Sequence, residues 1–305
     1  MTLFLWPKSK KYKFEKKQIK YSESKLNYIE NFFSKKYNSK YCVLTPSART
    51  GIILSLKFKK FNKSKVVQLP KWSSNCLINA VGSLASINCL KADVDCKIVV
   101  HHLGQSFDVK NNQSLLIDDS SDSLPTEKFV SCKKSKYSEV ISLPKIIASY
   151  AGGIVLTNSK SLYSYIKNHQ DKDLELAKNQ SFKKYNSMIK NSKNYSWHHN
   201  EIINFSLDYN TVNNVYRNLS FFDINIDIIE KRKKLFLNYS LYSDDYRIGP
   251  CLLFDLKKIN NQKLNVYNFN ITKNIDQQNY KEKTVLPIHF GVNDLEVEKF
   301  YNLIV

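Results

Sequence analysis

Leu26, Ile29, Phe32 and Phe33 recur at helical spacing and predict an amphipathic helix over residues 24–36. A short apolar run from Tyr41 to Thr45 predicts a strand, and Pro46-Ser47-Ala48-Arg49-Thr50 turns the chain into a helix carrying Ile52, Ile53 and Leu56. Lys65 to Leu69 is the next predicted strand, stopped by Pro70, and Cys76 to Leu84 reads as helix. Further short apolar, β-branched runs predict strands at 86–91, 97–101, 114–118, 128–132, 138–142 and 153–157. Runs of this kind, separated by turns and helices, predict a mainly parallel mixed α/β sheet. Ligands gather beyond the carboxyl ends of such strands. Ser47, Asp119 and Lys145 all fall just beyond predicted strand ends.

From about residue 160 the pattern changes. Residues 160–218 are polar, rich in Asn and Lys and helical in part, with Trp197-His198-His199 in the middle. A helix is predicted from Ile224 to Tyr239, strands at 251–256 and 264–268, and a final helix at 294–304. The expected organisation is a large α/β domain over 1–220 and a small α+β domain over 221–305. No internal repeat or low-complexity linker interrupts it.

Composition changes this picture in three places. Six cysteines are scattered without a C-x-x-C pair or metal-ligand spacing, as expected for free thiols in a reducing compartment. The N-terminus Met-Thr-Leu-Phe-Leu-Trp-Pro is apolar only briefly, without a signal-peptide core, and no run has the length of a membrane span. A cytoplasmic protein is expected. The net charge is +20, and residues 1–60 hold 15 Lys/Arg against 3 Asp/Glu. A basic arm of this kind can bind nucleic acid. Its lysines are not interleaved with aromatics as in a nucleic-acid module, so a solvated surface that attracts anionic substrates is the expected reading.

Candidate chemistry lies in three stretches. Lys145 ends an apolar segment seven residues before Gly152-Gly153. If buried, desolvation would lower its pKa and free the amine as a nucleophile. In isolation, a surface lysine after a Leu-Pro turn fits the same spacing. Leu115-Leu116-Ile117-Asp118-Asp119 ends a strand with two carboxylates, fit to bind metal, act as base, hold a protonated ring nitrogen, or merely cap the strand. Pro46-Ser47-Ala48-Arg49 offers a phosphate backbone N–H groups and a guanidinium at a helix entry, and is equally an ordinary helix cap. The histidines carry little signal. His101-His102 precede a turn at Gly104, and His289, in Leu-Pro-Ile-His-Phe, reads as a core histidine. Nothing in the spacing supports a Cys/His nucleophile or a metal site.

In order along the chain these pieces resemble the fold type I pyridoxal-phosphate enzymes, in particular the DegT/DnrJ/StrS family of sugar aminotransferases. Pro46-Ser47-Ala48-Arg49-Thr50-Gly51 is similar to the family's phosphate-cradling turn. Leu69-Pro70 with Ile78-Asn79-Ala80-Val81 matches its next strand and helix. Asp93-Val94-Asp95, His101-His102-Leu103-Gly104-Gln105 and Ile117-Asp118-Asp119-Ser120-Ser121 match three further landmarks. Lys145 to Gly152-Gly153 has the family's lysine-to-glycine spacing, and Leu286-Pro287-Ile288-His289-Phe290-Gly291, then Asp294 and a helix, is its characteristic ending.

The resemblance implies that Lys145 binds pyridoxal 5'-phosphate covalently and, once displaced, shuttles protons. Asp119 would pair with the ring nitrogen, and Ser47, Ala48 and Arg49 would surround the phosphate. The implied reaction moves an amino group from an amino-acid donor, usually glutamate, to a keto sugar attached to a nucleotide. It also implies a homodimer with the active site at the subunit interface, serving surface-polysaccharide or amino-sugar biosynthesis. Retention of lysine points to transamination rather than the dehydratase branch, where histidine replaces it.

Departures from the pattern surround this core. Ala48-Arg49 stands in place of Gly-Thr. The aromatic that stacks on the ring is replaced by Ser74, with Trp72 two residues away. Asp122 occupies the place of the glutamine or histidine that faces the cofactor's phenolic oxygen, where a second carboxylate is repulsive unless protonated or turned away. A serine five residues before the lysine is Val140 here, with Ser142 as its substitute. The Asn-Tyr-Arg segment is not recognisable in 200–218. The alternatives are a relative that keeps the fold but has changed or lost the reaction, and a basic nucleic-acid-binding protein.

Overall fold

A computed structural model describes residues 5–8, 12–90, 93–106, 115–126, 137–190, 203–240, 247–254, 267–271 and 281–304. Helix α1 (Glu23–Lys36) has an acid in its first turn and Lys35 and Lys36 in its last, complementing the helix dipole. It buries Leu26, Ile29 and Phe33. Strand β1 (Tyr41–Thr45) leads into α2 (Ala48–Phe58), whose first turn is capped by the Ser47 hydroxyl accepting from the Thr50 N–H at 3.2 Å. Then come β2 (Val66–Gln68), α3 (Asn75–Leu84), β3 (Ser86–Asn88), β4 (Cys96–Val100) and β5 (Leu115–Ser120). After the two-residue β6 (Leu124–Pro125), β7 (Ser138–Ser142) runs into the one-turn helix α4 (Pro144–Ile147), and β8 (Gly153–Thr157) follows. Helices α5 (Lys160–Lys167), α6 (Leu174–Lys190), α7 (Tyr209–Asn218) and α8 (Phe221–Leu235) continue the chain. The rest is β9 (Arg247–Ile248), β10 (Cys251–Phe254), β11 (Tyr267–Ile271), β12 (Lys281–Pro287) and α9 (Asp294–Ile304).

The main sheet has seven strands in the order β1-β8-β7-β5-β4-β2-β3. Every neighbouring pair is parallel except the two made by β8, which runs antiparallel to β1 and β7. This is the mainly parallel mixed sheet expected from the sequence. Apolar residues cover both faces. Ile52, Ile53, Leu77, Val81, Leu162 and Ile166 pack on one, and Leu26, Phe33, Ile146, Val215 and Phe222 on the other. A second sheet, β10-β12-β11, is antiparallel. One of its cores joins Phe254 and Leu286 to Ile229, Phe236 and Phe300; another joins Leu253 and Val285 to Trp6 and Leu103.

Gly152 and Gly153 draw the start of β8 against the start of α2. Gly152 has φ +108°, and a Cβ on Gly153 would lie 2.4 Å from the Ala48 nitrogen. The Gly-Gly pair is therefore a packing requirement of the α2 entry.

Several boundaries differ from the sequence reading. Asp118 and Asp119 lie within β5, their residues paired with Glu139 and Val140 of β7, so Asp119 is not beyond the strand end. Helix α8 starts ahead of Ile224 because Phe222 anchors its first turn in the core, and it ends at Leu235, short of Tyr239. The strand expected at 264–268 overlaps β11, which continues to Ile271; 264–266 lie outside the described residues. Strand β12 went unpredicted because its first half, Lys281-Glu282-Lys283-Thr284, is polar and hides the buried Val285 and Leu286. The strand expected at 128–132, Cys132 and Trp197-His198-His199 lie outside the described residues. The other five cysteines form no disulfide with one another, and no described helix is long and apolar enough to cross a membrane.

Candidate active site

The ends of β4, β5 and β7 point the same way, and the loops leaving them bring His102, Asp122 and Lys145 together. Lys145 sits in the single turn of α4, after Pro144 at its first position. It is not a surface lysine: its side chain is only 15% exposed. Nζ donates a hydrogen bond to Asp122 Oδ1, and the other oxygen of that carboxylate is 4.0 Å from His102 Nδ1. From the N-terminal segment the Trp6 indole lies over the amine, 4.4 Å from Nζ to the ring centroid.

The electrostatics correct one sequence expectation. Burial does work to lower the Lys145 pKa, but the Asp122 carboxylate outweighs it, helped by Cys76 and Asp119, and the net shift is upward. The amine is held as ammonium. Burial pushes the His102 pKa down against the opposing pull of Asp122.

Asp119 stands apart. The residue is 5% exposed, and its carboxylate accepts the Ser121 N–H at 3.0 Å. Among the described residues it has no ion-pair partner within 4.0 Å. Burial is the main cause of its raised pKa, Ser121 opposes, and Asp122 adds to the rise. Its neighbour Asp118 is instead joined to His101, Nε2 to Oδ1 at 3.1 Å, both side chains buried.

The other candidates lie further along. Ser47 and Arg49 line a cleft with Thr50, Ser181, Lys184 and Asp208, among others; Lys145, Asp119 and Asp122 do not line it. Ala48 opens α2, where its N–H is one of the helix-terminal donors. Ser142 closes β7, buried and paired in the ladder with Gly153. Trp72 is half-buried before α3, with Lys71 Nζ 5.6 Å from its ring centroid. The aromatic ring on the amine is thus Trp6, which no local pattern flagged. His101, buried on Asp118, and His102, largely covered near Asp122, carried little signal in the sequence. His289 is the core histidine expected, accepting the Gly291 N–H at 3.1 Å through Nδ1. Among the described residues no cluster of three or more His, Cys, Asp or Glu could hold a metal ion.

Residues 29–305 match the sequence model of a family described as "Putative PLP-dependent aminotransferase". The chain belongs to that family. Solved structures agree in fold. The sugar aminotransferase CalS13 from Micromonospora echinospora superposes with a TM-score of 0.66 at 9% identity, over 94% of this chain and 93% of that one. A DegT DnrJ EryC1 StrS aminotransferase from Brucella abortus gives 0.61 at 10% identity, over 94% and 91%. The ntda protein from Bacillus subtilis, with bound cofactor PMP, gives 0.63 at 12% identity, over 93% and 77%. No curated protein matches in sequence.

The residues present fit the family's cofactor, pyridoxal 5'-phosphate. A buried carboxylate with no ion-pair partner within 4.0 Å among the described residues, Asp119, suits a protonated ring nitrogen. Lys145 would supply the amine, and the N-terminus of α2 would offer N–H donors to a phosphate.

Proposed function

We propose that this PLP-dependent aminotransferase moves an amino group from an amino acid, glutamate, to a keto sugar carried on a nucleotide. The observation that carries the reading is a largely buried lysine amine paired with Asp122, with the buried Asp119 carboxylate acting on it electrostatically, at the carboxyl ends of β5 and β7. When bound, the cofactor supplies an electron-withdrawing ring that acidifies the α-carbon of the amino acid.

The chain's own residues do the rest. Lys145 holds the cofactor and, once displaced, takes a proton from one carbon of the substrate and returns it to another. Asp119 keeps the ring nitrogen protonated, and the low-polarity setting that raises its own pKa strengthens that pairing. Ser47, Ala48, Arg49 and Ser142 hold the phosphate, and Trp72 borders the ring. The excess of Lys and Arg attracts a nucleotide-linked substrate. The same reading includes a homodimer completing the site, a large domain over 1–220 and a small one over 221–305, and work in the cytoplasm for surface-polysaccharide or amino-sugar synthesis. The Asp122–Lys145 pair favours a second reading, a relative with altered or lost transaminase activity.

Purified protein mixed with pyridoxal 5'-phosphate should develop an absorbance band at the edge of the visible. The band should be bleached by glutamate with release of 2-oxoglutarate and be absent in Lys145→Ala. No band at all would sink the enzyme reading. A band that glutamate leaves unchanged would select the second.

A further inference from the structure

We propose that Asp122 is a positioning residue that clamps Lys145 as its ammonium, so that the amine becomes reactive only when the clamp opens. The inference deepens the reading above and rests on it. Its support is geometric. Asp122 occupies the loop after β5, and its carboxylate spans from Lys145 Nζ on one oxygen to His102 Nδ1, 4.0 Å from the other. The Trp6 ring closes a further side, 4.4 Å from Nζ, with the quadrupole of its face toward the charge. Trp6 is itself fixed by packing on Leu103, Leu253 and Val285, so this wall belongs to the second sheet's core.

Each of these contacts favours the charged amine. A carboxylate hydrogen-bonded to an ammonium stabilises the proton on nitrogen, and the indole attracts a cation and not a neutral amine. The other groups that act on the amine add to the same side: Asp119 from β5 and Cys76 from α3. His102, whose own pKa burial lowers, leaves the negative charge of Asp122 to the lysine. Burial opposes. The ammonium has no lone pair and cannot attack a carbonyl. Release passes one proton from Nζ to solvent and leaves a neutral amine beside an ionised Asp122.

The clamp is tested on protein free of cofactor, so its outcome is separate from the absorbance experiment. Competitive acetylation with limiting acetic anhydride over a pH series, read by mass spectrometry of the Lys145 peptide, reports the fraction of neutral amine. Exposed lysines in the same digest are the internal reference. In the wild type Lys145 should label at higher pH than those references. Asp122→Asn should move its half-labelling point down by about one pH unit or more, roughly tenfold more neutral amine at a given pH. Asp122→Glu should restore most of the shift, and Trp6→Leu should move it in the same direction by less. A merely structural Asp122 would alter stability without moving this profile. If wild-type Lys145 labels with or before the exposed lysines, the clamp is overturned whether or not any variant folds. An unchanged profile in folded Asp122→Asn overturns it as well. A missing cofactor band with an intact labelling shift would sink the transaminase reading and leave the clamp standing.

Discussion

Asp119 and Asp122, three residues apart, are put to opposite uses by their surroundings. Asp122 has a cation against it, whereas Asp119 is buried with a backbone N–H and no cation within ion-pair distance among the described residues. Burial raises the folded-state pKa of Asp119, so the folded protein keeps that proton when the unfolded chain has lost it. The resulting penalty is absent below the ordinary carboxylate range, grows as pH rises through the interval up to the raised value, and is complete above it. Asp119→Asn keeps the acceptor for the Ser121 N–H and removes the charge. At neutral pH the cofactor-free variant should therefore gain roughly 1 kcal/mol in denaturant unfolding, with the gain vanishing in acid. The same variant should retain pyridoxal 5'-phosphate poorly on dialysis. A variant no more stable than wild type at neutral pH would show that a partner offsets the burial cost of the Asp119 carboxylate. Lys145 and Asp119 were legible in sequence because each follows an apolar run and their order matches a known pattern. Trp6, His101 and His102 were not. The Trp6 contact joins the N-terminal segment to the middle of the chain, and side-chain periodicity carries no trace of such an approach.

Among the elements, the junction of α2 with β8 shows why the glycine spacing carried information. Two elements distant in sequence meet through backbone alone. A methyl group at Gly153 would lie 2.4 Å from both the Ala48 nitrogen and the Ser47 carbonyl carbon, neither of which can rotate away. Gly153→Ala should thus displace the first turn of α2. A loss of roughly 1–3 kcal/mol in unfolding free energy, as for overpacked interiors, is expected, together with weaker retention of pyridoxal 5'-phosphate through the misplaced N–H groups. Wild-type stability with wild-type cofactor retention would mean that the two elements part more easily than their packing indicates. Helices and strands whose apolar positions face a core were readable. Strand β12 was not, because a strand whose first residues are charged loses the alternation that marks it. The early start of α8 likewise follows from Phe222, a tertiary anchor rather than a local signal.

Across the whole molecule, two of the ties between the cores on the main sheet and those on the second sheet differ in kind. One is α8, which places Phe222 in the former and Ile229 in the latter. The other is polar. Arg247 of β9, fully buried, donates from Nη1 to Glu139 Oε1 of β7 at 3.0 Å and to the Ser120 hydroxyl of β5 at 2.8 Å, next to Asp119. This tie was not visible in the sequence, since a single arginine in a polar stretch reads as surface. A buried pair contributes little net stability compared with an apolar pair of the same volume, yet removing one member is costly because the other charge stays behind without its counter-ion. Arg247→Met should therefore lower the unfolding free energy by about 3–5 kcal/mol, and Glu139→Leu combined with Arg247→Met should recover most of that loss. The two substitutions touch one interaction, so their effects should be strongly non-additive. Additive losses would reject the pair as a tie between the two sheets. Recovery in the double variant, with the Lys145-dependent absorbance band retained, would show that the tie holds β5 and β7 in register without taking part in the chemistry at their ends.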